Sequence, residues 1–232
     1  MNNNDIMDYP SSAKITLLLA LLIGSLWGLS EALAGPVIRA AAAPLRAAFL
    51  TGIGMAWLGF FLALSRRPLF LIIAAFTTMA TMHISVPVLH CSFLCKANSS
   101  LAVLLHGVSC SIVVLTAGKK FHTMSSFRIL SGFAAPLLSG TLFFYLGMKL
   151  APCTFLLSFN HSPGLVSFFV QEILPWSLFS MVFLPAGYWA GSCVRNTIIS
   201  FRERKTVLFV TGSLAAILIC WIALLFIAVS GS

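Results

Sequence analysis

Apolar residues along the chain gather into runs of about 20 with polar punctuation between them, the length a helix needs to cross a bilayer. Seven candidate spans follow, near 13–34, 45–64, 69–89, 100–118, 129–150, 165–191 and 206–229. The breaks fall at Gly35 and Pro36, at Arg66, Arg67 and Pro68, at Lys96 to Asn98, and at Lys119 and Lys120. Two more fall at Pro152 with Ser162 to Gly164, and at the FRERK cluster of 201–205. Pro87, Pro136, Pro175 and Pro185 lie inside runs and predict kinks, whose freed backbone groups need protein partners because lipid offers none. The sixth run is the one whose limits are least defined. Phe155 to Pro163 is a candidate partly buried loop, and a re-entrant segment there changes the side of everything after it. The expected fold is all-α, a polytopic integral membrane bundle of six to seven transmembrane helices in a single domain, 1–232.

Composition agrees with that pattern. Hydrophobic residues make up 59% and charged residues 8%, against about 25% charged in soluble domains, so the chain cannot cover itself with polar surface in water. The net charge of +9 raises nucleic acid as a partner, but the basic residues lie in short clusters between apolar runs, as topogenic charge does. A nucleic-acid partner is not expected; a lipid bilayer is. The residues ALA at 32–34 resemble a signal cleavage site. The leader MNNNDIMDYPSSAK carries two acids and a single lysine, and the run after it exceeds the about 7–15 residues of a signal core. A retained first helix is expected.

Charge also gives an orientation. The side of the N-terminus collects Lys14, Arg66, Arg67, Lys119, Lys120, Arg128, Arg195, Arg202, Arg204 and Lys205, while the other side holds Arg39, Arg46, Lys96 and Lys149. Ten against four places the N-terminus in the cytoplasm by the positive-inside rule, in a bacterial inner membrane. The six cysteines include no CxxC pair and the chain has no Walker-type phosphate loop.

With that orientation the polar residues of the apolar runs sort to one side. Glu31 is at the outer end of the first span, His83 and His90 in the outer half of the third, and His106 in the outer part of the fourth. Cys91 and Cys95 lie in or beside the loop between those two spans, and Asn98 joins His106 in the outer part of the fourth. Cys153, Asn160 and His161 follow the fifth span, and Gln171 and Glu172 open the sixth. A charge at the bilayer centre costs roughly 2.5–3.5 kcal/mol on insertion scales, so ionisable residues there face a cavity or the bundle interior. The convergence suggests an outward polar pocket. The alternative is structural: Glu31 and Glu172 paired with Arg39, Arg46 or Lys149, and the histidines bonded to backbone. Imidazole and thiolate at His83, His90, Cys91, Cys95, His106 and His161 are also a candidate set for a zinc, nickel, cobalt or copper ion, although the spacing HCSFLC is no recognised ligand signature.

Two packing surfaces stand out. Ala20, Gly24, Gly28 and Ala32 recur every four residues, a small-residue stripe that lets another helix come close, with Glu31 on the same broad face. GIGMAWLG at 52–59 offers Gly52, Ala56 and Gly59, suited to packing inside the bundle. The loop GPVIRAAAAPLR, 35–46, is a candidate interfacial helix whose arginines would neutralise Glu31 or an anionic ligand.

The opening LLIGSLWGLSEALAG, the proline-bracketed loop, GIGMAWLGFFLALSRRP and the span beginning NSSLAVLLHG resemble small membrane proteins related to the substrate-binding S components of energy-coupling factor transporters. The likeness covers about residues 13–110. It implies a compact helical bundle with an outward site for a vitamin-like compound or a metal ion, coupled to a partner membrane subunit and ATPases. It also implies that Ala20, Gly24 and Gly28 contact that subunit. S components have six spans, one fewer than the count here. The leading expectation is a substrate-binding subunit of an uptake transporter that uses Glu31, Arg39, His90, His106 and Glu172. It is no enzyme and has no resident cofactor, a metal entering only as transported substrate. The alternatives are a structural or assembly subunit without a ligand, and an intramembrane metal-dependent hydrolase. For the hydrolase, Asp is absent after Asp8 and HExxH is absent throughout.

Overall fold

The computed structural model describes residues 12–40, 45–84, 93–150, 152–160 and 164–230, and every element among them is helical. In chain order these are α1 (Ala13–Ala40), α2 (Arg46–Ser65), α3 (Phe70–Ile84), α4 (Phe93–Ala117), α5 (Lys119–Thr123), α6 (Ser125–Leu150) and α7 (Thr154–Leu157). After them come α8 (Gly164–Phe168), a π turn (Phe169–Ile173), α9 (Leu174–Arg204) and α10 (Thr206–Ser230). Six helical segments are long and apolar enough to cross a bilayer, and Phe70–His83 is a shorter apolar helix. The chain is therefore a polytopic helical membrane bundle, with α3 as the short member of the seven runs.

Neighbours in space form a closed ring, α1 against α3, then α4, α6, α9, α2 and back to α1. α10 packs outside that ring, mainly on α1, where Trp221 Nε1 donates to Ser25 Oγ at 3.0 Å. Apolar side chains point outward on every face, among them Phe76, Leu115, Leu130, Val182, Trp189, Leu218 and Phe226. In a bundle of this composition such a surface contacts lipid.

Small residues set how closely the ring closes. A Cβ on Gly187 of α9 would lie 2.0 Å from the carbonyl of Ala56, and one on Gly59 of α2 would lie 2.3 Å from that of Leu184. Each helix thus presents a glycine to the other's backbone, and the small face of α2 is spent on α9. The stripe on α1 is likewise occupied within the chain. Ala20 is fully buried, and Cβ atoms on Gly24 and Gly28 would collide with Ala74 O and Thr81 Oγ1 of α3. Thr78 Oγ1 reaches across the same contact to donate to Gly24 O at 2.9 Å. The stripe that the family resemblance assigns to a partner subunit is covered by α3.

Several boundaries differ from the sequence expectation. α1 continues through Gly35 and Pro36 to Ala40, so the first half of the expected interfacial loop is an extension of the first span. α4 begins at Phe93 and includes Lys96, Ala97 and Asn98, so the break expected there is absent; Asn98 Nδ2 donates to Cys153 Sγ at 3.0 Å. The sixth span continues to Arg204, so that 164–204 is one helical run of 41 residues. At about 1.5 Å per residue this is roughly 60 Å, twice the hydrocarbon thickness of about 30 Å. Its polar end needs no apolar cover because Asn196, Thr197 and Ser200 are exposed. Pro136 and Pro185 lie within helices. Pro175 follows the π turn, where Leu174 N–H bonds to Phe169 O, five residues back. Between α6 and α8, Leu156 and Phe159 are buried, so the described part of the 155–163 loop is a partly buried plug.

Candidate functional site

At the end of the ring away from the Arg66–Arg67 turn, a cavity of about 140 Å³ is lined by Trp27 and Glu31 of α1, Ala47, Leu50 and Thr51 of α2, Ser99, Ala102, Val103 and His106 of α4, and Trp176 of α9. Four helices distant in sequence meet there. The two indoles are held by matched local geometry. In WGLSE, Trp27 Nε1 donates to Glu31 Oε1 at 3.1 Å, and in EILPW, Trp176 Nε1 donates to Glu172 Oε2 at 3.2 Å. Both pairs are four residues apart and so share a helical face, with the order of acid and indole reversed.

Each ring is fixed by packing as well. Gly54 makes room for Trp27, since a Cβ there would lie 2.6 Å from the indole. Trp176 sits against Phe143 at 6.1 Å and Phe168 at 6.0 Å between centroids. The π turn immediately precedes it, an irregularity often found at functional sites.

His106 supplies the unusual feature. It is 6% exposed, its ring lies 5.8 Å from that of Trp176, and its Nδ1 bonds to Ala102 O. A carbonyl only accepts, so Nδ1 carries the proton, and in the neutral ring Nε2 is left as an acceptor. That Nε2 is buried with no hydrogen-bond partner. An unsatisfied buried polar atom costs about 1–3 kcal/mol, a cost that a ligand with an N–H or O–H donor would remove.

The expected residues are therefore partly assembled. Glu31 and His106 share the cavity, and Glu172 is joined to it through Trp176. His83 lies between α3 and α4, its Nδ1 2.9 Å from Met79 O and 3.2 Å from Ser100 Oγ. Arg39 is on α1, with its side chain outside the described residues. His90, Cys91 and His161, with the side chain of Cys95, also lie outside them. Among the described residues no three His, Cys, Asp or Glu side chains come together as a metal site. Sequence reading missed Trp27, Thr51, Ser99 and Trp176. The indole–acid spacing of four residues in two separate runs was the available signal.

Comparison with family models, curated proteins and solved structures finds no match for this chain.

Proposed function

We propose that the chain is the ligand-capturing membrane subunit of a small-molecule uptake system energised by separate subunits, and that the Trp27–Trp176 cavity is its capture site. The observation that carries this reading is the buried Nε2 of His106, without a partner on a residue that lines the cavity. The positive-inside rule puts the basic end of the bundle in the cytoplasm and the cavity near the outside, as uptake requires.

The wall chemistry favours a cation. Glu31 brings negative charge, His106 an acceptor, and two indole faces suit an ammonium group. The size favours a compact ligand. A cavity of about 150 Å³ holds a benzene-sized molecule, whereas drug-sized pockets run to about 300–1,000 Å³. A small primary amine, or the ammonium end of a larger molecule, fits both constraints. A metal ion is the second choice, because the described residues offer only Glu31 and His106 as ligands at the cavity. A coupling subunit would use a surface other than the stripe that α3 covers.

Native mass spectrometry with elemental analysis of gently purified full-length protein tests the reading. One small basic compound per chain, lost in Glu31→Gln, is expected. Protein that carries nothing, and that no amine or divalent ion stabilises, would instead support an assembly subunit without a ligand.

A further inference from the structure

The opposite end of the bundle gathers positive charge from three elements around one tyrosine. Arg66 caps α2 in left-handed backbone, φ 52°, its N–H bonding Leu62 O at 3.1 Å. Glycine is the usual residue in that conformation, so the surrounding packing holds an arginine there. Arg128 lies on the first turn of α6 with its guanidinium 4.5 Å from the Tyr188 ring centroid, and one of its terminal nitrogens donates to Ser125 Oγ at 3.2 Å. Arg195 follows Tyr188 by two turns on α9. His122 of α5 completes the group, its Nδ1 3.2 Å from Tyr188 Oη, and Phe121 packs edge-on to both rings.

The three arginines are close enough that their charges all act on His122, and that of Arg66 acts on Arg195. The Nε–H of every one is buried without an acceptor. The chain has five acids. Glu31 and Glu172 are at the far end, Glu203 is 4.0 Å from Arg202, and Asp5 and Asp8 lie outside the described residues. No described carboxylate neutralises the cluster. Three like charges with unspent donors, partly withdrawn from water, form a receptor for a multivalent oxyanion, and guanidinium forks match phosphate oxygens in pairs.

We propose that Arg66, Arg128 and Arg195, with His122 and Tyr188 at the edge, form a binding site for a single phosphate group, separate from the capture cavity. The group comes either from an anionic lipid headgroup, whose depth the end of a membrane span shares, or from a soluble phosphate compound. This differs from the general attraction of basic loops to anionic membranes, because it requires these three side chains and one anion per chain.

The test compares full-length protein in nanodiscs of phosphatidylcholine alone, in nanodiscs with graded phosphatidylglycerol, and in phosphatidylcholine with inorganic phosphate at constant ionic strength. Native mass spectrometry reads retained lipid, and the His122 ring nitrogens are followed by NMR. One phosphatidylglycerol retained per chain identifies a headgroup site; saturation by phosphate in the phosphatidylcholine discs identifies a soluble ligand. Either binding should weaken at least tenfold in Arg195→Gln and hold in the Lys119→Gln/Lys120→Gln double variant. The NMR arm needs no variant. Burial first, and then Arg66, Arg128 and Arg195, lower the His122 pKa from its ordinary 6.5 to about 4. A bound anion facing those arginines should move that midpoint upward. Three results overturn the proposal: saturation by neither probe, equal loss in the lysine control, or phosphate binding that appears only when Asp5 and Asp8 are changed to Asn. The last would mean that the chain's own N-terminal acids fill the site.

Discussion

Replacing His106 by phenylalanine separates a ligand site from a structural tie, because the two roles move stability in opposite directions. Phe keeps a ring against Trp176, now 5.8 Å away, and the adjoining cavity of about 140 Å³ accommodates its slightly larger side chain. The variant loses the Nδ1 bond to Ala102 O, worth about 0.5–1.5 kcal/mol net, while that carbonyl retains its backbone bond within α4. It also removes the unpartnered Nε2, whose burial costs about 1–3 kcal/mol. The balance runs from a loss of about 0.5 kcal/mol to a gain of about 2.5 kcal/mol for the ligand-free protein, the pattern expected where a site is held at the expense of stability. Unfolding in mixed micelles, followed by circular dichroism and by tryptophan fluorescence, reads the difference, and a thermal shift with small amines reads binding. His106→Phe should be as stable as the parent or more so and should not respond to amines. A loss of more than about 2 kcal/mol would refute the reasoning and make His106 part of the scaffold.

Two further outcomes follow from the same geometry. Gly187→Ala puts a methyl 2.0 Å from Ala56 O, where ordinary contact begins at 3.4 Å; α2 and α9 must part, at a cost of about 1–3 kcal/mol or more. Micelle unfolding should show the loss, and an unchanged midpoint would contradict the close packing. His122 gives a pH dependence. Its folded pKa of about 4 lies below the ordinary 6.5, so as pH falls the unfolded chain takes up the proton first. The stability that the neutral ring contributes is therefore complete above about pH 6.5 and declines toward pH 4. The groups facing that ring are Arg66, Arg128, Arg195 and Tyr188. Thermal scans across this window should show a steeper loss in the parent than in His122→Gln, and parallel curves would contradict the assignment.

The helical spans were legible because lipid solvent demands long apolar runs, and six of the seven predicted runs correspond to long membrane helices. What punctuation meant was harder to read. Lys96 to Asn98 looked like a loop in isolation, yet they lie within α4, where Asn98 Nδ2 donates to Cys153 Sγ from beyond the fifth span. A small-residue stripe says that a helix comes close without saying which one, and only the fold shows that α3, through Thr77, Thr78 and Thr81, takes the face of Gly24 and Gly28. Glu31 and His106 stood out as polar residues in apolar runs. Trp27 and Trp176 did not, since aromatic residues are common in membrane helices, and their meeting at one cavity depends on how α1 and α9 are arranged around it. The arginine cluster was visible only as topogenic charge, because Arg66, Arg128 and Arg195 belong to three separate helices.

The central claim is that a compact cation is held between Trp27 and Trp176 beside Glu31 and His106. A form with Trp57, Trp189 and Trp221 changed to phenylalanine leaves those two indoles as the only tryptophans, and its fluorescence can be titrated with primary amines and with carboxylates of equal size. Saturable quenching by amines of up to about six heavy atoms, the size suited to a cavity of about 150 Å³, with no response to the carboxylates, is the predicted result. An equal response to both classes, or to neither, would contradict it.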